Sequence, residues 1–144
     1  MGANSTKHVT FQAPIEKVYQ AITDFESYPE FVEGVDEIVV HDRTETSAKV
    51  EYSINMVKDI RYTLAMKMEK PTKVEWTFDS GDLFEVNQGH WYLTDNGDNT
   101  TDVEYHVEVD IKGFIPMAGK IVKKLTEVNL PNMLKAYEER AQSL

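Results

Sequence analysis

Hydrophobic and polar positions change their spacing along the first quarter of the chain, and each spacing predicts an element. Residues 1–6 are polar and are predicted to be loose. Polar and apolar residues alternate over residues 8–12, as in a half-buried strand. Over residues 14–25 apolar residues recur every three or four positions behind a proline, which predicts an amphipathic helix. Residues 27–34 begin with the spacing of a capping box and end at a glycine, so a second short helix follows.

From residue 35 the period becomes two, and runs between turn-forming clusters predict six strands. Residues 48–57 and 61–69 form a hairpin across a tight turn near Lys58 and Asp59. Residues 102–111 alternate most regularly, with apolar side chains inward and charged ones outward. The inward aromatic and methionine side chains of these strands are Tyr52, Met56, Tyr62, Met66, Met68, Trp76, Phe78, Trp91 and Tyr105.

One of these strands breaks its own alternation. Phe84 and Val86 share one parity. Trp91 and Leu93 share the other, and Gly89 lies between the two pairs. A β-bulge adds one residue to a strand and shifts its parity, so we predict a bulge at Gly89 that turns all four large side chains inward.

Residues 116–144 carry the apolar stripe of a long helix. The stripe of its first half consists of Ala118, Ile121, Val122, Leu125 and Val128. Such a helix needs a broad apolar surface, and an antiparallel sheet is the simplest one. The order strand, two helices, six strands and long helix therefore predicts an α+β fold, in a single domain over residues 1–144.

Two residues interrupt this helix. Pro131 has no N–H for the carbonyl of Glu127, so we expect a bend there. Asn129 falls within the apolar stripe, where an unpaired amide costs about 1–3 kcal/mol. It either serves the bend or contacts a ligand in a cavity. We expect the helical half before Pro131 to be the functional one and the half after it to be mainly an anchor.

Charge and composition exclude several classes of function. The 144 residues carry a formal net charge of −10 and an isoelectric point near 4.8, so we expect no nucleic-acid partner. Cysteine is absent, which excludes disulfides, thiolate nucleophiles and cysteine metal sites. No apolar run approaches the ~20 residues that span a bilayer, and no leader segment opens the chain. We therefore expect a cytoplasmic protein.

Motifs for catalysis or metal binding are not found. The histidines His8, His41, His90 and His106 lack metal-ligand spacing, so we expect no metal and no cofactor. The chain has neither a nucleophile elbow nor a phosphate-binding glycine loop. Asp24, between the first two helices, is a candidate acid or base, although capping or turn closure explains it more simply. We predict no catalytic residue.

Three segments of the chain carry a family resemblance. They are APIEKVYQAITDFESYPEFV at residues 13–32, GHWYL at residues 89–93 and NMLKAYEERAQSL at residues 132–144. These segments resemble the START-like (SRPBCC, helix-grip) superfamily, in its branch of polyketide cyclases/dehydrases and coenzyme Q-binding proteins. The resemblance implies a seven-stranded curved antiparallel sheet wrapped around the long C-terminal helix. It also implies a cavity between them for a lipid, an isoprenoid quinone or a polyketide-like molecule.

These observations predict a carrier that binds a hydrophobic small molecule between sheet and helix. Burying hydrocarbon contributes ~0.8 kcal/mol per CH₂ and requires shape rather than a catalytic group. One alternative is a polyketide cyclase/aromatase-type enzyme in which polar groups assist proton transfer. Another is a toxin-like regulator of the same fold that binds a protein. The predicted ligand-binding residues are Tyr52, Met56, Tyr62, Met66, Trp76, Phe78, Trp91, Tyr105, Phe114, Leu125 and Asn129.

The segment before the long helix joins an apolar loop to a basic helix face. Phe114 lies on the loop, and Lys120, Lys123 and Lys124 follow it. In one interpretation this surface touches an anionic membrane during ligand exchange, at about 1 kcal/mol per lysine. In the other, it is a solvated helix face beside a buried loop. The sequence leaves the oligomeric state open.

Overall fold

Seven antiparallel strands form one sheet in the computed structural model, which describes residues 2–56 and 58–144 and only the backbone of Met56 and Lys58. The strands are β1 (Gly2–Phe11), β2 (Val35–His41), β3 (Ser47–Met56), β4 (Lys58–Glu69), β5 (Lys73–Gly81), β6 (Phe84–Asp95) and β7 (Thr101–Ile111). Their spatial order is β1-β7-β6-β5-β4-β3-β2. Strands β2 to β7 therefore form a meander, and β1 pairs with its last strand.

The first strand is longer than the alternation predicts. Residues 2–6, predicted to be loose, continue β1 and pair with β7 as far as Gly2 opposite Asp110. The edge of β7 offers N–H and C=O groups along its whole length, and pairing with them needs no apolar pattern. The prediction for these residues is wrong because side-chain periodicity does not report backbone pairing at a free edge.

Helices lie at two places in the chain. Between β1 and β2 come α1 (Ile15–Thr23), a 3₁₀ turn (Phe25–Ser27) and α2 (Tyr28–Phe31). After β7 come α3 (Ala118–Lys123), a π-helical turn (Lys124–Val128) and α4 (Leu130–Ser143). No helix in the described ranges is long and apolar enough to cross a membrane. The architecture is the α+β helix-grip fold, a curved sheet that packs around C-terminal helices.

The turn between α1 and α2 is closed by a different contact from the predicted capping box. The hydroxyl of Ser27 donates to the Asp24 carboxylate at 2.6 Å, and α2 has no side-chain cap. The backbone N–H of Ser27 also donates to the carbonyl of Asp24, at 3.1 Å. Asp24 thus holds the turn that begins the 3₁₀ segment.

The C-terminal helix is divided by a wide turn. The N–H of Asn129 donates to the carbonyl of Lys124, five residues earlier, at 3.0 Å. Pro131 then lies in the first turn of α4, where its missing N–H is not needed. A new helix, α4, therefore begins at the proline, and the predicted bend takes the form of a π-helical turn before it.

This wide turn changes which side chains face the sheet. Thr126 is buried and its hydroxyl donates to the carbonyl of Val122 at 2.9 Å. Val128, predicted to lie in the apolar stripe, is 55% exposed, and Asn129 is exposed as well. Both placements are corrections, because a π turn needs more residues per turn and rotates the following positions away from α-helical spacing.

The predicted bulge at Gly89 is also wrong. Gly89 pairs regularly with Val107 of β7, and the register of β6 shifts between Phe84 and Val86 instead. With the shift placed there, Asn87 is buried on the parity of Trp91, and Val86 is only partly buried. The consequence is a polar side chain, Asn87, at an inward position that the sequence pattern assigns to valine.

Candidate functional site

A cavity of about 580 Å³ lies between the sheet and the C-terminal helices. Strands β3 to β7 supply its floor, and α2, the π-helical turn and α4 cover it. Apolar groups from both layers line it, among them Leu64, Val74, Val107, Leu130 and Met133. Small-molecule sites in proteins commonly measure about 300–1,000 Å³ and are lined in this way.

Most of the predicted ligand-binding residues lie in this wall. They are Tyr52, Tyr62, Met66, Trp76, Trp91, Tyr105, Leu125 and Asn129. Phe78 lies outside the wall, with its ring centroid 6.1 Å from that of Phe84. Phe114 is 78% exposed and does not line the cavity. The side chain of Met56 lies outside the described part of the chain.

Both halves of the C-terminal helix contribute to the cavity. Leu125 and Asn129 come from the half before Pro131, whereas Met133 and Tyr137 come from α4. The half after Pro131, expected to be mainly an anchor, therefore also lines the cavity. The spacing of four between Met133 and Tyr137 places both on one helix face and was the signal for this role.

Two stacked tyrosines form one wall of the cavity. Tyr52 of β3 and Tyr62 of β4 are direct cross-strand partners. Their ring centroids are 5.0 Å apart and their planes differ by 9°. Phe84 meets the ring of Tyr62 edge-on at 4.9 Å. Cross-strand aromatic pairs of this kind stabilise a sheet, and here the pair also orients two phenol groups on its concave face.

Tyr28 and Tyr137 join the helical layer through a second aromatic contact. Their ring centroids lie 5.4 Å apart, nearly perpendicular, and Trp91 contacts Tyr137 at 4.8 Å. The hydroxyl of Tyr28 donates to the carbonyl of Ile22, and it forms a second hydrogen bond with the hydroxyl of Tyr137. Since Tyr28 uses its proton on Ile22, Tyr137 is the donor between the two tyrosines. Neither tyrosine is among the ligand-binding residues predicted from the sequence.

Trp76 and Asn87 form the polar contact of the sheet layer. The indole Nε1 of Trp76 donates to the side-chain oxygen of Asn87 at 3.1 Å, and both residues line the cavity. Beside them, a Cβ at Gly89 would lie 2.6 Å from the indole ring and 2.0 Å from the carbonyl oxygen of His106. Glycine therefore provides the space in which the Trp76 ring lies. The parity that Asn87 shares with Gly89 and Trp91 was the available signal for its inward position.

Burial raises the pKa of every cavity tyrosine above its ordinary value. This holds for Tyr28, Tyr52, Tyr62, Tyr105 and Tyr137, with loss of hydration as the main cause. For Tyr52, the nearby phenols of Tyr28, Tyr62 and Tyr105 raise the pKa further. These phenols are therefore neutral at physiological pH and act as hydrogen-bond donors rather than as bases.

The mouth of the cavity is polar. Glu33, Asn55, Asn129 and Asn132 line it and are exposed, and Lys124 is partly buried beside them. The N–H of Asn55 donates to the carbonyl of Gly34 at 2.8 Å, which links the start of β2 to the end of β3 beside the mouth. The site thus combines an apolar interior, a set of phenol donors and a hydrophilic rim. In the described ranges, no group of histidine, aspartate and glutamate side chains is arranged to hold a metal ion.

A curved seven-stranded antiparallel sheet that closes on a C-terminal helix around a cavity defines a START-like helix-grip protein. Residues 11–138 match the family of polyketide cyclases/dehydrases and lipid-transport proteins, and the chain belongs to that family. No curated protein sequence matches it.

Solved structures share this fold at low sequence identity. The Zhui aromatase/cyclase from Streptomyces sp. R1128 is 12% identical, with a TM-score of 0.87 over 99% of this chain and 94% of that one. A protein from Thermus thermophilus is 23% identical, with a TM-score of 0.82 over 98% of both chains. A START superfamily protein from Mycobacterium smegmatis is 20% identical, with a TM-score of 0.81 over 97% of both chains.

Proposed function

We propose that this protein binds and carries a hydrophobic small molecule that has at least one hydrogen-bond-accepting oxygen. The observation that supports it is the cavity, whose apolar wall surrounds the neutral phenols of Tyr52, Tyr62 and Tyr105 on the sheet. Membership of a family that includes lipid-transport proteins agrees with such a role.

The two parts of the wall have different tasks in this proposal. The apolar part supplies affinity, at ~0.8 kcal/mol for each CH₂ group removed from water. The phenols supply selectivity, because an oxygen acceptor satisfies donors that a plain hydrocarbon leaves unpaired. An isoprenoid quinone, a polyketide-like molecule and a lipid with a carbonyl group all meet this description. The proposed ligand is therefore a hydrophobic molecule with an oxygen acceptor, of one of these three kinds.

Identification of a bound molecule tests the proposal directly. The purified protein is extracted with organic solvent and the extract analysed by mass spectrometry. In parallel, decylubiquinone and the aromatic polyketide emodin are titrated while tryptophan fluorescence is recorded. The chain has 2 tryptophans, and both Trp76 and Trp91 line the cavity, so an occupying quinone is expected to quench the whole signal. An empty extract together with unquenched fluorescence for both compounds contradicts the proposal.

Removing one phenol hydroxyl should weaken quinone binding without changing the fold. Tyr62→Phe is expected to raise the Kd for decylubiquinone about 5- to 10-fold, since a neutral hydrogen bond contributes about 1–1.5 kcal/mol. Fluorescence titration measures this change. Tyr92→Phe is the matched control, because the Tyr92 hydroxyl donates to Glu75 at 2.9 Å and does not line the cavity. Equal affinities in the two variants would remove Tyr62 from the binding site.

A second candidate function is aromatase/cyclase-type catalysis. Its support is the fold shared with the Zhui aromatase/cyclase and the protonated phenols of the cavity wall, which can donate a hydrogen bond to an enolate oxygen as it forms. Glu33 at the mouth is the carboxylate placed to act as a base. If the protein is such an enzyme, turnover of a polyketide-like substrate falls about 10²- to 10⁴-fold in Tyr52→Phe or Glu33→Gln. Binding of emodin without turnover favours the carrier.

A further inference from the structure

The loop that joins β7 to α3 exposes large apolar side chains. Phe114 is 78% exposed and Met117 is 52% exposed, whereas Ile115 between them packs against the core. Clustered apolar groups on a protein surface mark places where it meets a partner or a membrane. The loop therefore presents an apolar tip that no described residue covers.

Backbone contacts hold this tip in a defined position. The N–H of Ile115 donates to the carbonyl of Lys112 at 3.0 Å, and that of Ala118 donates to Ile115 at 3.3 Å. Met117 adopts a left-handed backbone conformation with φ 65°, which is uncommon for residues other than glycine. Two successive turns thus direct Phe114 outward while Ile115 anchors the loop.

The segment that carries the tip has a charge opposite to that of the whole protein. Residues 111–126 contain Lys112, Lys120, Lys123 and Lys124 and no carboxylate, although the chain carries a net charge of −10. None of these four lysines takes part in an ion pair with a described carboxylate. The four lysines, which have no ion-pair partner among the described carboxylates, form a basic surface beside the apolar tip.

The tip lies at the same end of the sheet as the cavity mouth. In an antiparallel meander, the last residues of β3, β5 and β7 and the first residues of β2, β4 and β6 lie at the same end of the sheet. The N–H of Lys112 donates to the carbonyl of Leu83, in the β5–β6 turn, at 3.0 Å. The hydrogen bond from the N–H of Asn55 to the carbonyl of Gly34 lies at the same end of the sheet. Lys124 belongs both to the basic surface and to the mouth.

We propose that residues 112–124 dock on an anionic lipid bilayer, with Phe114 and Met117 in the interface and the lysines over the lipid headgroups. An apolar tip beside diffuse positive charge suits a bilayer, which accepts both at once. Docking in this way brings the cavity mouth towards the membrane. The inference builds on the proposed function only in its purpose, since the docking surface does not include the apolar cavity wall.

Vesicle co-sedimentation tests the docking surface. The wild-type protein is mixed with phosphatidylcholine vesicles that contain or lack phosphatidylglycerol, at low ionic strength. We expect binding only to the anionic vesicles, and Lys120→Glu/Lys123→Glu should lower the partition coefficient at least ~30-fold, since each lysine contributes about fivefold. Lys7→Glu/Lys67→Glu is the matched control, with the same change of charge at exposed positions outside the docking surface.

The apolar tip needs its own variants. Phe114→Ala is expected to lower binding to anionic vesicles about tenfold, and Phe114→Trp is expected to retain it with a blue-shifted tryptophan emission. Failure of the wild type to bind anionic vesicles overturns the inference. So does equal binding by wild type and Lys120→Glu/Lys123→Glu, or capture by an acidic protein that leaves vesicles unbound.

A second readout separates this inference from the proposed function. Quenching by decylubiquinone is measured in aqueous solution for the same variants. We expect Lys120→Glu/Lys123→Glu to retain quenching and to lose vesicle binding, because neither lysine lines the cavity. Vesicle binding by a protein whose extract is empty and whose fluorescence neither decylubiquinone nor emodin quenches would refute the carrier and leave the docking surface standing. Quinone binding without vesicle binding would do the reverse.

Discussion

Gly89→Ala is expected to destabilise the protein by about 3 kcal/mol, at the upper end of the cost of overpacking. The added Cβ would lie 2.0 Å from the carbonyl oxygen of His106 and 2.6 Å from the Trp76 ring. A backbone oxygen within a sheet has little freedom to move, so either β6 separates from β7 or the indole leaves its position. Differential scanning calorimetry should show a melting temperature lower by about 10 °C.

Gly119→Ala is the matched control for this change. Gly119 lies in α3, and a Cβ there meets no atom within 4 Å. Because alanine favours a helix over glycine, this variant should be more stable by about 0.5–1 kcal/mol. The same substitution therefore has opposite signs at the two positions. A melting temperature of Gly89→Ala equal to that of the wild type would show that Trp76 does not lie over this glycine.

The same contact connects stability to ligand binding. Trp76 lies between the Gly89 backbone and the cavity, and its hydrogen bond orients the amide of Asn87. A Gly89 variant that remains folded with a displaced indole should therefore bind decylubiquinone less tightly than wild type. Stability and affinity change together here because the Trp76 side chain both packs in the core and lines the cavity.

Strict alternation explains which parts of the fold and the site could be predicted. Tyr52 and Tyr62 lie on strands whose apolar positions recur every second residue, so their parity fixed both the sheet face and the cavity wall. The regular alternation of β7 placed Tyr105 in the same way. These residues are found from the chain alone because one period governs many neighbours at once.

The predictions fail where a local irregularity outweighs the period. The register shift in β6 lies between Phe84 and Val86 rather than at Gly89. The position of this shift decides that Asn87 faces inward. The π-helical turn likewise exchanges Val128 for Thr126 on the buried face. Hydrophobicity alone cannot locate such events, since they depend on how the backbone pairs and where a new helix begins.

Raising the pH above about 10 is expected to unfold the protein steeply, and the cavity tyrosines are the reason. Burial raises the pKa of all five above the ordinary value, so they keep their protons in the folded state. In the unfolded chain the same phenols ionise near pH 10. The unfolded state then binds fewer protons, and the free energy of unfolding falls by about 1.4 kcal/mol per pH unit for each tyrosine.

The sign of this effect defines its pH window. The stabilisation by neutral phenols is complete below pH ~10 and is lost as the pH rises from there towards the raised pKa values of the folded state. With five such groups the loss approaches about 7 kcal/mol per pH unit, comparable to the whole stability of a domain. Tyrosinate absorbance and far-ultraviolet circular dichroism, recorded during an alkaline titration, should therefore change together in one cooperative step.

This titration also distinguishes a dry cavity from a water-filled one. If water reaches the phenols freely, the tyrosines ionise near pH 10 while the circular dichroism remains that of the folded protein. That result would contradict the desolvation on which donor selectivity depends. Tyr62→Phe removes one of the protons retained on folding, so its unfolding should depend less steeply on pH, by about 1.4 kcal/mol per pH unit. An unchanged slope would mean that Tyr62 is already ionised, or hydrated, in the folded protein.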